Sequence, residues 1–334
     1  MNLLKNFSQI SDLGLIHATS GPSYLQANEF FSAPSSFLLK GDFVFSENCG
    51  NIRFKGDVLA VPALDNILHP SHSESFKKAL LVSEGYPIIS LDVEDPVLLT
   101  ASWSTNNCYH FFVDVVGKLA LLERYYDLRK FNFLIPSWGR YYSDFFAFLG
   151  LKVIPYDRNF FYDVRNLLVP SLPGISNRIN CDTLAFLRKS TRDLVCDTGI
   201  NYFIRRKTRG VENELELLDL IRARVDLCPV FLEDFSLIDQ VKMIGGSNLV
   251  IGPHGAGFAF TAFKKFGHVV EIFSEKFTNP PYRHMHAQSG IPYSAYFSDP
   301  LTGFKFGANH FDDFYVDPYL FTKFFDSKVL GCLR

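Results

Sequence analysis

Between Asn201 and Phe273 the chain alternates four times between a short apolar run and a segment with helical spacing. NYFIRR, PVFLE, NLVIG and HVVEIF read as strands, and residues 212–225, 236–244 and 258–266 as the helices that separate them. Ser236 and Asp239 open the second helix as a capping pair. Strands joined through helices lie parallel in one sheet with helices over both faces, which leaves few topologies. The expectation is a Rossmann-like domain of four successive βα units.

A second alternation precedes it. FNFLIP (131–136), an aromatic helix over 141–149 and LKVIPYD (151–157) form a βαβ pattern. Phe112, Val115, Val116, Leu119 and Leu122 follow helical spacing and predict a helix over 109–125. PIISLDVEDPVLLTASW is strand-like on both sides of Pro96. Residues 35–64, punctuated by Gly41, Gly50 and Gly56, read as a β-meander. VPSLPGISNR (169–178) gathers Pro, Gly and Ser and is the expected linker. The fold class is therefore α/β. An N-terminal α/β domain with a β-meander spans 1–170, a C-terminal Rossmann-like domain spans 171–310, and a tail over 311–334 packs back on the first domain.

Composition narrows the function classes. With 33 Lys and Arg against 35 Asp and Glu in 334 residues, the net charge of −2 gives no footprint for nucleic acid. The 35 Phe are read first as core filling, with the Phe-rich tail from Phe304 to Phe325 as a surface for a membrane or partner. Six scattered cysteines without CxxC spacing suggest free thiols in a reducing cytoplasm. No signal-peptide pattern and no run of apolar residues long enough to span a bilayer is present, so a cytoplasmic protein is expected.

The sharpest local pattern is Gly252-Pro253-His254-Gly255-Ala256-Gly257 between a strand and a helix. Small residues there admit a diphosphate to the helix N-terminus; the alternative is a tight βα turn that needs glycine for steric reasons alone. HGAG resembles the esterase HGGG, but no GxSxG accompanies it. Arg205 to Arg209 follow a strand end, where ligands gather, and arginine forks onto phosphate; a solvated basic turn is the alternative. Glu271 ends the next strand, as a ribose ligand or as a buried structural carboxylate. His110 and Asp114 share a helix face, either as an acid–base pair or as a satisfied core histidine beside an ion-paired Asp. His284, His286 and His310 form too irregular a cluster for a metal, and Asp92-Val93-Glu94 only loosely matches a metal-binding DxD, so no metal site is expected.

Asn107-Cys108-Tyr109-His110-Phe111-Phe112-Val113-Asp114, then Phe203-Ile204-Arg205-Arg206 with Arg209 and Asn213-Glu214, then Gly252 to Gly257 and Val270-Glu271-Ile272, form an ordered set that resembles glycosyltransferase family 61, in its compact bacterial form. The chain departs from the family at Cys108, usually aromatic or small, and at Val116-Gly117-Lys118, where Leu-Pro-Arg is commoner. The resemblance implies a GT-B-like architecture, two Rossmann-like domains facing a central cleft. It implies an inverting, metal-independent transferase moving a hexose or pentose from a nucleotide diphosphate sugar, expected to be UDP-linked, to a hydroxyl of a growing capsular or lipopolysaccharide chain. No cofactor beyond the donor substrate is expected, and the protein would work in the cytoplasm or at the inner face of the membrane in peripheral association. On this reading Arg205, Arg209 and Gly255, Ala256 and Gly257 hold the diphosphate, Glu271 contacts the ribose, His254 sits beside the sugar or phosphate, and His110 and Asp114 are the base candidates. A sugar-nucleotide epimerase and a non-catalytic sugar-nucleotide- or glycan-binding subunit of a polysaccharide assembly complex stand as alternatives.

Overall fold

A computed structural model describes residues 87–100, 106–157, 159–170, 178–274, 280–298 and 313–333, together with the backbone of the strands that precede residue 87. The chain forms two compact units, Met1–Thr183 and Leu184–Arg334. Most of the expected linker, residues 171–177, lies outside the described residues.

The first unit begins with β1 (Lys5–Asn6), β2 (Gly14–Thr19), β3 (Ser23–Gln26), β4 (Glu29–Ser32), β5 (Ser36–Ser46), β6 (Asn51–Phe54) and β7 (Asp57–Ala60). β5, β6 and β7 are the expected meander, each antiparallel to the next. Gly41 does not break β5, because it stays in the ladder opposite Leu167. Next come β8 (Ile88–Leu91) and β9 (Val97–Leu99). A continuous helix, α1, then runs through Cys108–His110, Phe111–Val116 and Gly117–Glu123. Its middle piece is π-helical, a rare winding that recurs at functional sites. β10 (Asn132–Pro136), α2 (Tyr142–Phe148), β11 (Lys152–Tyr156) and β12 (Phe161–Pro170) complete the unit.

β12 is absent from the sequence reading and is the hub of the sheet. It runs antiparallel to β5 and parallel to β8 and β9, which joins the meander and the parallel strands into one mixed sheet. The parallel part has the order β12-β9-β10-β11. Aromatic rings fill the space under α1 and α2: Phe111 packs edge-on against Tyr142 and Phe145, and Phe133 against Phe146.

The second unit carries the expected alternation and one strand more. After α3 (Cys181–Ser190), at the junction of the units, come β13 (Asn201–Ile204), α4 (Glu214–Arg222), β14 (Cys228–Val230), α5 (Leu237–Gly245) and β15 (Leu249–Pro253). Ser236 caps α5 by accepting from the Asp239 amide. A 3-10 helix over Ala256–Phe263 leads to β16 (His268–Phe273), α6 (Pro281–Ser289), β17 (Tyr293–Phe297) and α7 (Pro318–Lys328). The segment after the glycine loop winds as 3-10 rather than α, and the Thr261 hydroxyl donates three residues back to the Phe258 carbonyl at 2.6 Å. All five strands are parallel in the order β14-β13-β15-β16-β17.

Phe321 and Phe325 of α7 enter the core of the second unit with Leu217, Ile221 and Tyr296, so α7 is an outer layer on that sheet. Phe304 and its neighbours up to residue 312 lie outside the described residues.

Candidate active site

In an open α/β sheet, ligands bind beyond the carboxyl ends of the strands where successive connections part in opposite directions. In the first unit the chain runs from β9 outward to β10 and β11, then returns to β12 on the other side of β9. α1 follows β9, so its first turn belongs to that switch point. In the second unit the chain steps from β13 out to β14 and returns to β15. The segments that follow β13 and β15 carry Arg205 to Arg209 and His254 to Gly257.

His110 and Asp114 lie one turn apart in α1, both buried, with His110 Nδ1 3.1 Å from Asp114 Oδ2. A carboxylate only accepts, so Nδ1 carries the proton and Nε2 is the nitrogen able to take one. Asn107 caps the helix by accepting from the Tyr109 amide at 2.9 Å. Lys118, one turn further on, is 0% exposed, which does not suit direct contact with an acceptor. Burial lowers its pKa to about 8 against the opposing pull of Asp114. Cys108 is an inert core thiol, pushed up to about 12 by burial.

In the second unit Arg206 reaches across the switch point: its Nη1 donates to the His254 carbonyl. Gly255 makes this possible, because a Cβ there would meet the guanidinium, with Arg206 Cζ only 2.6 Å away. Gly252 is required for a different reason, since its Cβ would stand 2.5 Å from the Ile204 carbonyl of the adjacent strand. Gly257 would meet Leu232 and Ile204 more loosely, and Ala256 begins the 3-10 helix. Arg205 is held by Glu214 at 2.6 Å and lies over the Phe231 ring at 4.5 Å. Arg209 adopts φ 56, a left-handed backbone.

The tail sets that loop. The Gly210 amide donates to Asp313 Oδ1 at 2.7 Å, Val211 bridges Phe314, and Asn213 exchanges hydrogen bonds with the Val316 main chain. Asn213 and Glu214, noted in the sequence only as part of a pattern, thus anchor the loop and orient Arg205.

Glu271 does not suit ribose contact. It is 0% exposed and both carboxylate oxygens are taken: Oε1 lies 2.5 Å from His254 Nδ1, and Oε2 accepts from the Tyr293 hydroxyl at 2.5 Å. The alternative of a buried, hydrogen-bonded carboxylate holds, and its work is to orient His254. Tyr293, which sequence reasoning missed, stays a phenol because burial and the Glu271 charge raise its pKa well above the ordinary value.

His286 is buried with its Nε2 2.8 Å from the Thr261 hydroxyl, and burial lowers its pKa to about 3. His268 is likewise lowered to about 4 by burial and then by Lys264. Lys264, lowered to about 7 by burial, donates to Ser247 Oγ at 2.8 Å. These are structural groups behind the 3-10 helix. Among the described residues no three His, Cys, Asp or Glu side chains gather as metal ligands; His310 lies outside them. No described helix is long and apolar enough to cross a membrane.

Fold and site define an α/β protein in which each unit brings a histidine–carboxylate pair to a switch point, one of them beside arginines and a glycine loop. The glycosyltransferase 61 family model matches residues 108–270, from the start of α1 into β16, and the chain belongs to that family: it is a glycosyltransferase. A sugar donor and a glycan acceptor are its general partners. No curated protein matches the chain.

Proposed function

We propose that the protein is an inverting, GT-B-type transferase that takes a sugar from a nucleotide diphosphate, UDP-linked in the first instance, and places it on a hydroxyl of a growing surface glycan. The second unit takes the donor and the first the acceptor. The observation that carries this is the Arg206 bond to the His254 carbonyl, which locks a guanidinium to the glycine loop across the β13–β15 switch point. Arg205, Arg206 and Arg209 supply the positive charge that the leaving diphosphate needs, and Gly255, Ala256 and Gly257 let it approach the helix N-terminus. This charge makes a metal unnecessary. His110 takes the proton of the acceptor hydroxyl at Nε2, and Asp114 holds its ring.

On this reading the protein works at the inner face of the membrane, in the reducing cytoplasm where thiols stay reduced. The test is a thermal-shift screen against UDP, GDP, ADP and dTDP and their sugars, with and without EDTA. A shift with one diphosphate that survives EDTA supports a metal-independent donor site and names the base. A shift abolished by EDTA overturns the metal-independent reading, and no shift with any of them overturns the donor site.

A further inference from the structure

His254 is held from several sides at once. Its ring stacks on Phe273, with centroids 5.1 Å apart and planes 23° from parallel, and leans on Tyr282 at 5.8 Å. Its amide donates to the Ile272 carbonyl at 2.8 Å, and its carbonyl accepts from Arg206. Nδ1 faces Glu271 Oε1, and Tyr293 completes the chain from the far side of the carboxylate. The titratable and charged groups that touch it are Glu271 on β16, Tyr282 on α6 and Arg206 on the loop after β13, and beyond Glu271 stand Tyr293 on β17 and Arg283, whose charge acts on Tyr293. With Nδ1 committed to a carboxylate, the proton chemistry of this ring belongs to Nε2, and the residues that follow it are the glycine loop.

A structural histidine needs no more than a hydrogen-bond partner at each ring nitrogen. A chain of imidazole, fully buried carboxylate and phenol is what fixes a ring whose second nitrogen must move a proton. We propose that His254, doubly protonated with Nδ1 bonded to Glu271, donates its Nε2 proton to the diphosphate oxygen that leaves the sugar and is left as the neutral Nδ1–H ring, with Glu271 and Tyr293 as positioning residues. This rests on the donor-site reading above and extends it from binding to chemistry.

In the step, the bond from the anomeric carbon to the diphosphate oxygen breaks and its electron pair goes to that oxygen, which takes the Nε2 proton. The acceptor oxygen bonds to the anomeric carbon, and its proton goes to the base. Solvent restores both groups after release, so the sum is donor plus hydroxyl giving glycoside plus nucleoside diphosphate.

The experiment uses the full chain and three variants, H254Q, E271Q and Y293F. Calorimetry with UDP, GDP, ADP and dTDP reads binding, hydrolysis of the matching nucleotide sugar by water reads chemistry, and 15N spectra of labelled histidine read the tautomer. The side-chain amide that H254Q introduces can still donate to phosphate but carries no transferable proton. H254Q is therefore expected to bind the diphosphate within about threefold of the parent while turnover falls about 10²- to 10³-fold. Its rate should also lose the fall at alkaline pH that marks an acid. E271Q should shift the proton off Nδ1 in the 15N spectrum of the free protein, and Y293F should slow turnover several-fold with binding intact.

Equal losses of binding and rate in H254Q would make His254 a mere ligand and overturn the proposal, as would an unchanged rate. A parent protein that binds none of the diphosphates overturns the donor site itself. The 15N spectrum is independent of any ligand: a His254 whose Nδ1 is unprotonated removes the relay whatever the donor.

Discussion

In the first unit the histidine and its carboxylate are four residues apart on one helix; in the second they are seventeen apart, one just past the end of β15 and the other on β16. The helical pair is made by local winding, and its rigidity is that of α1 packed on Tyr142 and Phe145. The strand pair exists only because β15 and β16 keep the register that sets Gly252 beside Glu271, and it recruits a third group from β17. A locally built pair depends on the winding of one helix. A pair built from sheet register fails with the sheet.

The largest effect should separate the two pairs by function. H110A and D114A are each expected to lower transfer about 10²- to 10⁴-fold, as loss of an acid–base group does, while leaving diphosphate affinity unchanged. Transfer rates and calorimetry on the same preparations check this. If both variants together transfer sugar at the parent rate, the helical pair is a satisfied core histidine and the functional half of the comparison is gone.

The next effect concerns register. G252A puts a methyl group 2.5 Å from the rigid Ile204 carbonyl, so β13 and β15 must separate at a cost of about 1–3 kcal/mol, visible as a drop in Tm. G255A meets the end of a flexible arginine instead, so Tm should hardly change while Arg206 leaves the His254 carbonyl and diphosphate binding weakens. Equal Tm losses in the two variants would show that the glycine loop is a steric turn and nothing more.

A smaller effect follows from the buried histidines of the second unit. His268 and His286 have folded pKa values of about 4 and about 3, below the ordinary 6.5 of the unfolded chain. Between these values the unfolded state binds more protons, so stability rises with pH, and acidification from pH 6.5 toward 4 must weaken the unit. Tm against pH for the parent and H286Q reads this: the variant should show a shallower fall. The first unit has a buried charge of the same depressed kind in Lys118, lowered to about 8 from 10.5, and its stabilisation with rising pH falls in the alkaline range. Lys264 of the second unit, lowered to about 7, adds a rise of the same sign on the alkaline side, so the acid window belongs to the second unit and the alkaline one to both.

The same contrast explains what could be read beforehand. The helical pair was legible because four-residue spacing on an apolar helix is a pattern in the chain itself. His254 and Glu271 were each marked, but their pairing depends on strand register, which a single sequence does not carry, and so Glu271 was placed on a ribose it does not suit. Arg205 and Arg206 are adjacent just past the end of β13, and which of them faces the glycine loop depends on how the chain leaves the strand, which no composition reveals. Tyr293 sits on an edge strand that follows α6, a helix and strand beyond the four βα units that the sequence pattern marks. β12 was missed because Asp163 and Arg165 interrupt its apolar positions, although a half-buried strand alternates in this way.

The smallest expected effect tests the tail. Sequence alone made the Phe-rich end a surface for a membrane or partner, yet Asp313 accepts from the Gly210 amide at 2.7 Å and Phe314 bridges Val211, so the segment before α7 is a strap on the arginine loop. D313A removes one acceptor from a half-buried amide, a loss of about 1 kcal/mol. Because α7 keeps Phe321 and Phe325 in the core, the unit should melt almost unchanged. The loop should loosen around Arg209, whose left-handed backbone is costly without such support, and diphosphate affinity should fall a few-fold. D313A should leave the alkaline pH dependence set by the buried Lys118 and Lys264 where it was. A variant that loses no affinity would show that the arginine loop holds its shape through Glu214 and Asn213 alone.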